Sequence, residues 1–267
     1  MALTRLDCHL YRGANAAHDG SSFVAFNPSL QPAQMVFAGS AAVRESVGSQ
    51  VAYRLALDYF MLGVEAHYAQ PAGEERVPGD EGTVVKALED AFRSANTSVY
   101  GFGHKLAAGG RMAASLLGVV IEEGRLATGR VGYGSVYLFR NNELFPFFDT
   151  PESEVAKVGD ARECPDEFES RRSSFIGSNS MVDVELASVM LQADDVLCVF
   201  SRPLTTLNET VLFECLESLS FDTPAAKQPA EVAERLCNEV FTEPESLAFA
   251  MVARVGPEAI YCNEVLG

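Results

Sequence analysis

Four histidines, six cysteines and a few charged or glycine-rich pairs are the residues most able to do chemistry here, and their spacing supports little of it. His9, His18, His67 and His104 lie far apart, with no nucleophile in a recognisable motif beside any of them. Neither a catalytic triad nor a zinc set is expected from them, and structural or exposed imidazoles are the plainer reading. Cys8, Cys164, Cys198, Cys215, Cys237 and Cys262 never form a Cys-X-X-Cys pair, so reduced, mostly buried thiols are expected rather than disulfides or zinc ligands. Gly132-Tyr133-Gly134 has the composition of a phosphate loop, but a tight hairpin accounts for it without a ligand. Arg171-Arg172 beside Ser173-Ser174 would suit a phosphate or a modification, and an exposed loop suits it better.

The elements that would position any site are easier to read. Between Ser115 and Phe148, three short apolar runs (Leu116 to Ile121, Leu126 to Val131, Ser135 to Phe139) are separated by turn residues, which predicts an antiparallel meander covered on at least one face. Residues 5 to 12, 23 to 26 and 35 to 37 read as strands. A long amphipathic helix is predicted from Val43 to Ala66, with Val43, Val47, Val51, Leu55, Tyr59 and Leu62 as its buried stripe. A second helix begins near Thr83, burying Val84, Val85, Leu88, Phe92, Ala95 and Val99.

Residues 149 to 174 are polar and without period, as in a long surface loop. Strands return at 181 to 189 and 196 to 200. Leu207, Val211, Leu212, Cys215, Leu216 and Leu219 predict a further helix, Pro229 opens another, and 247 to 255 with 259 to 262 read as a hairpin. The sum is roughly nine to eleven strands in two blocks, an α+β order with segregated layers, in one domain over residues 1 to 267.

Composition narrows the partners. At 48% hydrophobic and 21% charged the chain is an ordinary globular one, and its apolar runs fall short of the about 18 residues of a membrane span. Arg5, Asp7 and His9 stand where a signal peptide needs an apolar core, so a cytoplasmic protein is expected. A net charge of -17 disfavours nucleic acid and anionic membrane; a solvated acidic surface is the plainer reading of it, and a basic protein partner the other.

The element order, together with RMAASLLGVVIEEGRLATGRVGYGSVYLFRNNEL, resembles the metal-dependent PPM-type (type 2C) serine/threonine phosphatases. Met112, Ser115, Val131, Gly132, Tyr137, Leu138, Arg140 and Leu144 match that family's pattern, while Tyr133, Gly134 and Ser135 replace its Asp-Ser-Arg. In LQADDVLCVFSRPLT, Asp195, Leu197, Ser201, Leu204 and Thr205 fit, with Arg202 and Pro203 where Asp-Gly would stand. VFAGSAAV keeps Gly39 but has Ala38 at the central Asp position. PESLAFAMVARV has Glu245 and Ser246 for Asp-Asn and Ala248 for Thr, and the early acidic motif falls near Asp19-Gly20.

The resemblance implies a central antiparallel β-sandwich flanked by pairs of α-helices, an αββα arrangement. It also implies a degenerate metal centre at Asp19, Gly20, Ala38, Gly39, Arg202 and Glu245, with Tyr133, Pro203 and Ser246 as further altered positions. Hard cations need several anionic oxygens, and a unit positive charge a few ångströms from a divalent ion costs on the order of kilocalories at an effective dielectric of about 20. Arg202 is therefore expected either to pair with Glu245 or Asp19 in place of the ions or to point to solvent. On these grounds a non-enzyme is expected: a pseudophosphatase without cofactor that binds a kinase, a phosphoprotein or another regulator. The alternative is an active metal-dependent phosphatase with an atypical site, drawing on Asp19, Glu245 and acids such as Asp183 or Asp194.

Overall fold

The nine residues of Ala114–Glu122 are buried along their whole length, so this strand has cover on both faces. The computed structural model shows how. It describes residues 7–12, 22–23, 34–43, 46–69, 77, 79–106, 112–148, 175–201, 204, 206–217 and 249–255. In chain order the elements are β1 (Asp7–Arg12), β2 (Ser22–Phe23), β3 (Gln34–Ala42), α1 (Val47–Ala69), α2 (Glu81–Lys105), β4 (Ala114–Glu122), β5 (Arg125–Val131), β6 (Ser135–Arg140), β7 (Glu143–Pro146), β8 (Glu185–Met190), β9 (Val196–Phe200), α3 (Thr206–Glu217) and β10 (Phe249–Arg254). They build two five-stranded sheets, ordered β1-β10-β9-β6-β7 and β2-β3-β4-β5-β8. Every pairing between these strands is antiparallel.

Strand alternation sorts the core into three layers. Phe37, Leu117, Val119, Ile121 and Leu126 of the second sheet meet Val136, Leu138, Leu197, Val199 and Met251 of the first. On the other face of the second sheet, Leu116, Val120 and Ala127 pack beneath α1 and α2. On the outer face of the first, Tyr137, Cys198 and Phe200 pack against Leu212, Cys215 and Leu216 of α3. The expected sandwich with helices outside both sheets is thus present; the helix expected after Pro229 lies outside the described residues.

Three expectations about local structure are corrected. The run from Ser115 to Phe148 is not one meander, because β5 pairs with β4 and β8 whereas β6 pairs with β7 and β9. Gly132-Tyr133-Gly134 is therefore the crossover from one sheet to the other, not a hairpin. Both glycines have positive φ (82° and 131°), where a Cβ is strained, and a Cβ on Gly134 would meet the Leu117 side chain at 2.5 Å. The true hairpin comes next, joining β6 to β7 through Asn141 and Asn142 with φ of 51° and 64°, as a type I′ turn requires.

Second, α1 begins at Val47, and its buried face is Ala52, Tyr53, Ala56, Leu57, Phe60, Gly63 and Val64. Of the stripe expected to be buried, Val47, Tyr59 and Leu62 lie on the outer face, 78%, 38% and 53% exposed, while Val51 and Leu55 pack partly buried against the helix-side core. The reason is close helix packing: a Cβ on Gly63 would lie 2.7 Å from the Cα of Ala91 in α2, so the face that carries Gly63 beside Phe60 and Val64 is the one that fits against α2 and the second sheet. Third, the strand expected over 181 to 189 begins only at Glu185. β10 pairs with β1 on one side and β9 on the other, and residues 259 to 262, read as its hairpin partner, lie outside the described residues.

α2 follows its sequence pattern. Val84, Leu88, Phe92, Ala95 and Val99 are buried, and Asp80 caps the helix by accepting from the Thr83 amide at 3.2 Å. Phe60 of α1 and Phe92 of α2 meet edge to face at 5.1 Å. They fill the space left by Gly118 and Gly129, which stand opposite each other in the β4–β5 register.

Candidate functional site

Strand directions bring the described residues that flank the altered motifs to one end of the sandwich. In the second sheet, Ser40 pairs with Leu116 and Leu116 with Val131, so the last residues of β3, the start of β4 and the Gly132–Gly134 crossover lie together. In the first sheet, Ser135 and Ala250 both pair with Phe200, and Arg12 pairs with Phe249. The described residues nearest the altered motifs therefore gather there: Ser22 after Asp19 and Gly20, Ser201 before Arg202 and Pro203, and Phe249 after Glu245 and Ser246. Those six motif residues themselves lie outside the described residues, as does any pairing of Arg202 with Glu245 or Asp19.

Of the expected centre, Ala38 and Gly39 are described. Ala38 is 1% exposed and belongs to the helix-side core beneath α1 and α2, while its neighbours Phe37 and Ala41 pack between the sheets. A side chain at 38 thus points away from the inter-sheet face. Gly39 stands opposite Leu117 on one side and Phe23 on the other, inside the ladder rather than at a loop.

Around them the described side chains are neutral hydroxyls. Ser40, Ser115, Ser135 and Ser201 are all buried. Ser40 Oγ donates to the Ser115 carbonyl at 2.8 Å, and Ser115 Oγ donates to the Ala41 carbonyl at 3.3 Å, so these two hydroxyls clasp β3 to β4. Of the four, only Ser115 and Ser201 carried a signal in the sequence, as family matches.

Tyr133 stacks edge to face on Phe175 with ring centres 5.1 Å apart. Beneath it, buried Arg130 braces the crossover. It donates to the Gly134 carbonyl at 3.0 Å, makes a two-pronged contact with Glu185 at 2.7 and 2.8 Å, and lies 5.0 Å from the Phe148 ring centre. The sequence held no sign of this pair, because its members are 55 residues apart and meet only through the β5–β8 register. Arg130 brings positive charge to this end, and Glu185 balances it.

The acids of the alternative reading fare unequally. The amide of Asp194 donates to the Val255 carbonyl at 2.7 Å, at the opposite end of the first sheet, so Asp194 takes no part in this site. Asp183 precedes β8, which is three strands from β3, about 14 Å across the sheet and well beyond one ion's coordination shell. Among the described residues, no three His, Cys, Asp or Glu side chains come together as a metal set. The described part of the centre therefore does not fit a divalent cation.

The opposite end is charged and closed. Arg140 donates to both carboxylate oxygens of Asp195, at 2.7 and 2.6 Å, and to the Met190 carbonyl at 2.8 Å. Asp195 also accepts the Gln192 amide at 2.7 Å. Donating to the Asp195 carboxylate holds the Arg140 guanidinium above its usual pKa. Both residues matched the family pattern.

No protein-family model matches this sequence, and no curated protein matches it. Solved structures do. PppA, a key regulatory component of T6SS in Pseudomonas aeruginosa, superposes with a TM-score of 0.66 at 16% identity, over 94% of this chain and 98% of that one. The fold is that of the type 2C serine/threonine phosphatases. The catalytic domain of the serine/threonine phosphatase PstP in complex with two manganese ions matches with a TM-score of 0.60 at 17% identity, over 94% of this chain and 98% of that one. A bacterial serine phosphatase matches at 0.67 and 13%, covering 98% and 100%.

These matches overturn two expectations. A non-enzyme was expected from the replaced aspartates, yet the structures sharing this fold are phosphatases. An absence of cofactor was expected, yet one of them holds manganese. The physical reason is that Ala38 faces the helices, so its lack of a carboxylate says little about the inter-sheet face. Cys198 and Cys215 are buried and neither is in a disulfide, as expected of reduced thiols. Burial, and then neighbouring Cys215, pushes the Cys198 thiol far above its ordinary range, so it is an inert core group. No helix among the described residues is long and apolar enough to cross a membrane.

Proposed function

We propose that this chain is a serine/threonine phosphatase of the type 2C fold with an atypical metal site, acting on phosphoproteins in a signalling role. The observation that carries the reading is the near full-length correspondence with phosphatases, 94% to 98% of this chain. Asp19 and Glu245 are the carboxylates nearest in sequence to that end and are the donors we assign to the centre, with 1–267 acting as one domain. The described residues contribute position rather than chemistry. The Ser40–Ser115 clasp holds β3 to β4, and Arg130 with Glu185 holds the crossover beside Tyr133.

The test is hydrolysis of p-nitrophenyl phosphate and of a phosphoserine peptide, with and without millimolar Mn²⁺, alongside a thermal melt under the same conditions. Mn²⁺-dependent turnover that Glu245→Gln and Asp19→Asn each reduce is the expected result. No turnover and no melting shift with either Mn²⁺ or Mg²⁺ would overturn the proposal.

A further inference from the structure

One buried polar group in the structure has nothing to bond to, and it lies in the first turn of α1. Ser49 is 0% exposed, and among the described residues its Oγ is the buried side-chain polar atom without a hydrogen-bond partner. A hydroxyl taken out of water in this way bears its full desolvation cost, so its presence calls for a ligand or another cause.

The local chain shows how the gap arises. Ser46 caps the helix: its Oγ accepts the Ser49 amide at 3.2 Å and its carbonyl accepts the Gln50 amide at 3.0 Å. A capping box would have Glu or Gln three residues after the cap, reaching back to the cap's own amide. Here that position is Ser49, which is too short to reach back, and the first turn carries no acidic residue. Among the described residues nothing accepts from the amides of Val47 and Gly48. Helical side chains lean toward the N-terminus of their helix, so Ser49 Oγ is aimed at this turn from its inner side. Gly48 has no side chain to block an approach, and the turn reaches the surface, with Val47 exposed and Ser46 and Gly48 half-buried. The 23-residue helix adds the positive end of its macrodipole. Backbone amides and two hydroxyls, with no carboxylate in the turn, suit a tetrahedral oxyanion.

The turn also opens at the end of the sandwich that holds the Gly132–Gly134 crossover. Ala42 closes β3 at that end and precedes Val47 by five residues, whereas Phe60, more than three turns into α1, packs over Gly118 in mid-strand. We infer that the N-terminus of α1, through Ser46, Gly48 and Ser49, is a phosphate site that takes the dianion of a phosphomonoester or of inorganic phosphate. Binding there needs no metal, so the site goes beyond the phosphatase reading; only its use, to hold substrate or released product, rests on that reading.

The experiment is isothermal titration calorimetry of the full chain freed of divalent ions, at constant ionic strength, with sodium phosphate in one arm and O-phosphoserine in the other. Saturable heat with a Kd of about 1 mM or tighter is expected. Heat with phosphate alone marks a product site, and heat with O-phosphoserine alone a substrate site. Ser46→Asp keeps a good helix cap, so the melting temperature without ligand should hold, but its carboxylate takes the anion's place and should weaken binding at least about tenfold. Ser49→Ala removes the unpartnered hydroxyl, so it should keep or raise the melting temperature while weakening binding about three- to tenfold. No saturable heat with either ligand up to about 20 mM overturns the inference, as does binding that either variant leaves unchanged. Metal-free phosphate binding without Mn²⁺-dependent turnover would remove the phosphatase reading alone, and turnover without that binding would remove this inference alone.

Discussion

The two ends of the sandwich differ in what the resemblance to the phosphatases preserved. At the far end, Arg140 and Asp195 keep the family's residues and are ion-paired in a closed network with Gln192 and Met190. At the near end, the described family positions that differ, Ala38, Tyr133, Gly134 and Ser135, lie at or beside a set of neutral hydroxyls, a sheet crossover and the Arg130–Glu185 brace. The far-end matches thus hold strands together, whereas at the near end matches (Ser115, Gly132, Ser201) and departures (Ala38, Tyr133, Ser135) stand side by side. A motif match at the far end testifies to fold, because Arg140 there ties β6 to the turn before β9 through Asp195 and to β8 through the Met190 carbonyl. It carries no information about catalysis.

The comparison breaks most readily at Ala38. Ala38→Asp is expected to be the most damaging change, costing about 5 kcal/mol or more, because the carboxylate would enter the apolar layer beneath α1 and α2. Guanidinium unfolding would measure it, and Mn²⁺ should not rescue it. Rescue by the ion would mean that residue 38 belongs to the metal centre after all. Ala41→Asp, on the inter-sheet face, should be the milder of the two.

At the far end, Asp195→Ala leaves the Arg140 guanidinium and the Gln192 amide without their shared acceptor. The expected loss is about 3–5 kcal/mol in the same unfolding assay, and Arg140→Met with Asp195→Leu should recover most of it. Equal losses in the single and double variants would show that the pair is not what closes that end.

Gly134→Ala sharpens the role of the crossover. A φ of 131° and the 2.5 Å approach of Leu117 predict a loss of about 2–3 kcal/mol. Catalytic turnover, if carried by this end, should fall more than the loss of folded protein alone explains.

The smallest effect lies outside both ends. The Tyr137 hydroxyl donates to Glu209 at 2.7 Å, joining the first sheet to α3. Burial, and then Glu209, raises its pKa well above the ordinary 10.0, so the folded state favours the protonated phenol. Its contribution is whole below about pH 10 and is lost as pH climbs toward the raised value, with a slope of up to about 1.4 kcal/mol per pH unit. Tyr137→Phe should cost about 1 kcal/mol at neutral pH and flatten that alkaline limb in pH-dependent melts.

Much of the architecture was legible in the residues themselves. The apolar runs at 116 to 121, 126 to 131 and 196 to 200 became β4, β5 and β9, and the 3.6-residue spacing from Val84 to Val99 became the buried face of α2. Local pattern sufficed there because periodic burial and turn residues act over a few neighbours. The tertiary structure decided what depends on distant partners. It determined which sheet β6 joins, which face of α1 is buried, that Arg130 finds Glu185, and that Ala38 turns toward the helices. An apolar run records that it will be covered but not by what, and a helix with two apolar faces records neither. Only the close approach of α2 at Gly63, and the packing of the two sheets, settles which face goes inward.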